Sequence, residues 1–172
     1  MNGVQVLKSA FEGAHMWYQA TIGDVSDEQA NHVPPGVAHP ISDLAAHILH
    51  TEDGMINMVI LGQQMIWERD GWAARLGVPM MMERDNAAAR AFKCNLGQLQ
   101  EYGQAVFAST NAFLDSLSAA DLETRELDMT AEGMGMMKLG NFLAQMLLGN
   151  TYAHTGEISA LKGIMGSRGY PF

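Results

Sequence analysis

Cysteine is nearly absent. The 172-residue chain holds one, Cys94, so no internal disulfide can form and no thiolate cluster can hold zinc; a reduced, cytoplasmic setting is expected, with any metal held by His and carboxylate side chains. Basic residues are scarce as well: 10 Lys and Arg stand against 19 Asp and Glu, a net charge of −9. With no cluster of positive charge, nucleic acid and anionic membranes are excluded as partners, because both are held by neutralising phosphates. Long hydrophobic runs are missing too. The longest uncharged apolar stretch, Leu139 to Ala153, is short of a membrane span and is interrupted by Asn141, Gln145 and Asn150. The opening MNGVQVLKSA has neither the apolar centre nor the cleavage site of a signal peptide. Val and Ile are far outnumbered by Leu, Ala and Met, the balance of a helical protein, and no strand pattern competes.

What the chain does have is 48% apolar residues and 14 Met. The Met are spread along the sequence, which suits core filling better than a soft-metal tract. One core and a single domain over residues 1–172 follow. Val4, Leu7, Phe11, Ala14, Tyr18 and Ile22 make one apolar stripe, predicting a first helix from Val4 to Ile22. Ser26 and Gln29 have capping-box spacing for a short turn, and Pro34, Pro35, Gly36 and Pro40 form a loop. A second helix is expected from Ile41 to about Gly62, with Leu44, Ile48, Met55 and Val59 inward. Residues 63–94, holding Trp67, Trp72, Pro79 and Met80 to Met82, show no sustained period and read as a long connection with short helical pieces. A third helix fits Asn95 to Leu117, followed by a capped turn at Ser118 to Leu122, a Gly- and Met-rich loop from Met129 to Met137, and a fourth helix from Lys138 to Ile164. Four long helices with one long crossover make an all-α four-helix bundle, a layout that places ligands between facing helices.

On the fourth helix Leu143, Leu147, Asn150, His154, Ile158 and Leu161 share a stripe. His47 lies on or beside the stripe of the second, so two imidazoles can converge inside the bundle, and imidazole is the commonest side-chain ligand for zinc, nickel and iron. The bland alternative is a pair of hydrogen-bonded core histidines. Glu157, three residues after His154, can orient an imidazole, shuttle a proton or face water. His50 is expected at the solvated helix edge, and His15, His32 and His39 on the surface; Glu52 and Asp53 default to solvent. Cys94 beside Lys93 reads as an inert thiol. Trp17, Met55, Tyr152, Trp67 and Trp72 are candidate pocket walls, although such residues more often fill a core.

The segment His154-Thr155-Gly156-Glu157-Ile158-Ser159-Ala160-Leu161-Lys162-Gly163 resembles the fourth-helix signature of the DinB-like superfamily of metalloenzymes. Ser26-Asp27-Glu28-Gln29, the proline loop, and Ser42-Asp43-Leu44-Ala45-Ala46-His47-Ile48 with Glu52 further on resemble that family's first half. The resemblance implies an up-down-down-up bundle, often a homodimer, with a divalent metal (Zn, Ni or Fe) held by one His of the second helix and two of the fourth. Carried over, His47 and His154 are ligands and Glu157 a candidate catalytic group, while Asn150 occupies the middle ligand position. An amide oxygen is a weaker ligand than imidazole for these ions. The implied activity is a metal-dependent S-transferase using a low-molecular-weight thiol, such as bacillithiol or mycothiol, or a hydrolase, acting on a small-molecule substrate. The alternative is a metal-free bundle that binds a small ligand or serves as a dimeric assembly module.

Overall fold

Asn2 starts the first helix. Its side chain accepts from the Gln5 N–H at 3.0 Å while Gln5 Oε1 accepts from the Asn2 N–H at 2.8 Å, a reciprocal cap. Helix α1 then runs Gly3–Ile22 and buries Val4, Leu7, Phe11, Ala14, Tyr18 and Ile22, the stripe read from the sequence. The structure, a computed structural model, describes residues 2–77 and 86–171, so Pro79 and Met80 to Met82 of the expected connection lie outside the described residues. Ser26 and Gln29 repeat the reciprocal cap over the short turn Asp27–Ala30.

Helix α2 follows the proline loop as Ile41–Asp53 and continues in a π-helical stretch, Gly54–Ile60. The wider π turn changes the angular step between residues. Ile56 and Ile60 are therefore buried, whereas Val59, expected inward, is exposed. The crossover holds short helical pieces at Ile66–Arg69, Trp72–Leu76 and Asn86–Ala91. Asp27 receives the Leu96 N–H at 2.8 Å and the Asn95 side chain at 2.7 Å, fixing the start of α3, Leu96–Ser116. Ser118 caps Ala119–Thr124 with Asp121 as its reciprocal partner. Helix α4, Leu148–Ile164, is entered through a turn at Leu139–Asn141 and a second π stretch, Phe142–Leu147.

The Gly- and Met-rich segment is not simply a loop. It closes a hairpin of β1, Glu126–Met129, and β2, Gly135–Lys138, antiparallel with Leu127 opposite Met137 and Glu126 opposite Lys138. Each strand has 4 residues, too few to show a period of two in the sequence. Gly133 and Gly135 take positive φ at the turn, which side-chain-bearing residues adopt with strain.

The four long helices close on one another: α1 packs on α4 and α3, and α2 packs on the same two. Gly103 lets α2 approach α3 closely, since a Cβ there would meet Leu49 at 3.1 Å. One apolar cluster, holding Tyr18, Ile48, Leu49, Trp67, Leu99, Tyr102, Val106 and Ile158, lies beside the His-bearing part of α2; a second, around Phe11, Ile56, Phe113, Phe142 and Leu143, fills the other end. Among the described residues no helix is long and apolar enough to cross a membrane.

The crossover is tied to this frame by one carboxylate. Fully buried Asp53 accepts from the N–H groups of Ile66 and Trp67, each at 3.0 Å, from Asn57 Nδ2 at 2.8 Å and from the Tyr102 hydroxyl at 2.7 Å. Replacing it by Ala leaves these donors unpaired in a dry interior. Asp53→Ala is expected to lower stability by about 3 kcal/mol or more, read as a fall in the urea midpoint; a midpoint near that of the parent protein refutes the network's role.

Candidate metal centre

Spacing on α2 and α4 brings three polar side chains to one point. His47 Nε2 lies 3.2 Å from Asn150 Oδ1, and the rings of His47 and His154 stand perpendicular with centroids 4.7 Å apart. His154 Nδ1 is 2.7 Å from Glu157 Oε2 one turn along α4. That bond assigns Nδ1 to the carboxylate and leaves Nε2 as the nitrogen available to an ion. His47 and His154 are part-buried, and the Glu157 side chain remains 56% exposed. Burial first, and the neighbouring His154 second, push the His47 pKa below its ordinary value, so that imidazole is neutral at pH 7, the form that ligates metal.

Two imidazoles and an amide oxygen fit a divalent ion with open positions. Among the described residues no three His, Cys, Asp or Glu side chains approach closely enough to hold one by themselves. Any such site therefore needs the amide of Asn150 as a donor. Beside the pair lies a cavity of about 460 Å³ bounded by Ala38, His39, Leu44, His154, Glu157, Ala160 and Leu161. It opens between the start of α2 and the second half of α4.

Family comparison agrees with this architecture. The sequence profile of the DinB superfamily matches residues 10–158. The chain belongs to the DinB superfamily. A crystal structure of a conserved protein from Enterococcus faecalis superposes with a TM-score of 0.82 at 18% identity, over 97% of this chain and 99% of that one, a likeness of fold. No curated protein matches the chain.

Several expectations for this DinB superfamily member need correcting. His15, read as a surface residue, is buried: Nε2 lies 2.9 and 3.1 Å from the Glu52 oxygens, and its ring stacks on Phe107 at 3.7 Å. Glu52, read as solvated, is buried and also accepts from the Thr110 hydroxyl at 2.6 Å. Asp53 is likewise buried. The signal was present, because His15 lies four residues after Phe11 and three before Tyr18, on the α1 stripe itself. His39 is only partly exposed and is bonded to Asp43. Of the residues proposed as pocket walls, Trp67 and Trp72 fill the core, Met55 packs on the second cluster, and Trp17 leans on Tyr152 and Tyr170 at the surface; none is among the described walls of the cavity. Cys94 is buried, which pushes its thiol up to about 12 and leaves it unreactive.

His50, expected at a solvated edge, is buried with its ring 4.1 Å from that of Trp67 and 5.6 Å from that of Tyr102, turned away from His154. Neither ring nitrogen has a hydrogen-bond partner, and burial pushes its pKa from 6.5 down to about 4. An unfolded chain takes up this proton below pH 6.5, whereas the fold resists it until about pH 4. Stability is therefore whole above pH 6.5, declines as the pH drops and levels off below pH 4, a total loss of about 3 kcal/mol from this residue. Chemical denaturation at stepped pH is expected to show that slope, and His50→Met to flatten it. An unchanged slope in the variant counts against this account.

Proposed function

We propose that the protein is a divalent-metal-dependent enzyme, with His47, His154 and Asn150 holding zinc, nickel or iron beside the cavity. The carrying observation is the convergence of two imidazoles and an amide from separate halves of the chain on the edge of an open space of about 460 Å³. When bound, the ion supplies Lewis acidity that lowers the pKa of an adjoining water or thiol. His47 presents a neutral nitrogen, and Glu157 fixes the tautomer and orientation of His154. Ala38, Leu44, Ala160 and Leu161 give the cavity an apolar lining that suits a small organic substrate and keeps water sparse.

The reaction class is transfer to a low-molecular-weight thiol or hydrolysis, with Glu157 as a proton carrier at the cavity edge. The reading extends to an up-down-down-up bundle working as a cytoplasmic homodimer. One observation favours a competing function, a metal-free module for a small ligand: His47 and Asn150 already satisfy each other without an ion.

Metal analysis separates the two. Protein purified after supplementation with zinc, nickel or iron is expected to carry near-stoichiometric metal that is lost from the His47→Ala, His154→Ala double variant. A folded parent protein that takes up none of these ions overturns the enzyme reading. Restoring a third imidazole with Asn150→His is expected to tighten zinc or nickel binding by about tenfold or more by calorimetric titration.

A further inference from the structure

The cavity beside His154 is lined by a second histidine, His39, which is itself paired with a carboxylate. His39 precedes α2, and its Nδ1 lies 2.9 Å from Asp43 Oδ2 in the first turn of that helix. The Asp43 side chain is 2% exposed, that of His39 35%. A carboxylate in a first helical turn is well placed electrostatically, and one that accepts from Nδ1–H fixes the tautomer and the orientation of the ring. The loop carrying His39 is itself fastened: the Arg90 guanidinium donates to the Pro34 carbonyl at 2.8 Å and to the Ala38 carbonyl. One cavity is thus lined both by His39, backed by Asp43, and by the His154–Glu157 pair.

The two pairs are not equivalent. His154 faces His47, whereas His39 lies outside ligand distance of an ion shared by those two, because no three such side chains among the described residues come close enough to hold one. Its chemistry is therefore directed at a molecule in the cavity.

We propose that His39, oriented by Asp43, is the general base and acid of the cavity, a catalytic residue that the family resemblance did not mark. Nε2 takes the proton of the attacking water or thiol as its oxygen or sulfur bonds to an electrophilic carbon of the substrate. The bond from that carbon to the leaving group breaks, and the imidazolium returns the proton to the departing atom. Asp43 acts throughout as a positioning residue that holds the His39 ring. The assignment rests on the metal-dependent reading above and adds to it the base and acid at the reacting centre, leaving Glu157 to carry protons at the cavity edge. Among the described residues, the charged and titratable groups around His39 include Asp43 and His47 on α2, His154 and Glu157 on α4, and Arg90, which holds the loop.

A first test needs neither metal nor substrate. Diethyl pyrocarbonate acylates basic, accessible imidazole nitrogens, and peptide mass mapping of the metal-free protein gives a rate for each histidine. His39 is expected to react faster than exposed His32 in the same loop, with buried His15 and His50 slow, and Asp43→Asn is expected to bring His39 down to the rate of His32. Circular dichroism checks that the variant is folded, and Asp43→Glu, if it restores the rate, shows that the carboxylate and not the packing is responsible. A His39 no more reactive than His32, or one indifferent to Asp43→Asn, overturns the pair.

A second test uses zinc-loaded protein and p-nitrophenyl acetate. His39→Gln is expected to lower kcat on the order of a hundredfold and to leave KM and zinc affinity unchanged. Zinc-dependent turnover that survives His39→Gln overturns the role of His39 and leaves the metal-dependent reading standing. Parent protein that binds zinc and shows no zinc-dependent turnover overturns both.

Discussion

Helix α2 is enclosed on almost every side, and it carries polar side chains into that enclosure. Between Ile41 and Asp53 only His47 and Thr51 fall short of full burial. A buried polar group without a partner costs roughly 1–3 kcal/mol, more if charged, so each element packed on α2 must bring a matching donor or acceptor. α1 brings His15 to Glu52, α3 brings Thr110 to Glu52 and Tyr102 to Asp53, the crossover brings two backbone N–H groups to Asp53, and α4 brings Asn150 to His47. Apolar packing alone would allow helices to slide. These pairings set the rotation and height of every helix against α2, and that registration is what places His154 against His47.

The same requirement explains which end of α2 faces the cavity. Toward its C-terminal end the polar groups are saturated by neighbours, and Asp53 alone accepts four hydrogen bonds. Nothing there is left for a ligand. His50 is the exception, with both ring nitrogens unsatisfied, but it is wedged between Trp67 and Tyr102. Near the start of the helix, by contrast, His39 and Leu44 line the cavity, Asp43 backs His39, and His47 meets Asn150 on α4. The open space lies at that end because the polar groups of the other are committed to holding the bundle together.

Much of the scaffold was legible because helices write their burial at three- and four-residue intervals. The α1 stripe, the Ser26 and Ser118 caps and the alignment of Asn150 with His154 all follow from that period. The same period was available for His15, Glu52 and Asp53, each one turn from buried apolar residues, yet a polar identity suggests solvent unless the partner is known. That partner lies 37 positions away for His15 and 49 for Asp53 and Tyr102. No local pattern points across such distances. The π stretches and the hairpin were hidden for another reason, since each is too short to impose its own period on the sequence.

Asn150 shows how a bundle can keep a ligand-shaped site in a folded resting state. With three imidazoles at such a point, neutral rings must arrange donors and acceptors among themselves, and any proton gained there leaves like charges in contact. An amide at the middle position changes the balance. Its oxygen, 3.2 Å from His47 Nε2, accepts that nitrogen's proton and holds the ring in one tautomer. An ion seeking Nε2 must first displace the hydrogen bond and move the ring proton to Nδ1, which opposes binding by about 1 kcal/mol. His154 has no such preliminary step, because Glu157 already holds its proton on Nδ1. The two imidazoles are therefore unequally prepared: one is set for an ion by its carboxylate, while the other is set against it by its amide. Any ion entering between them would have to break that single hydrogen bond between α2 and α4.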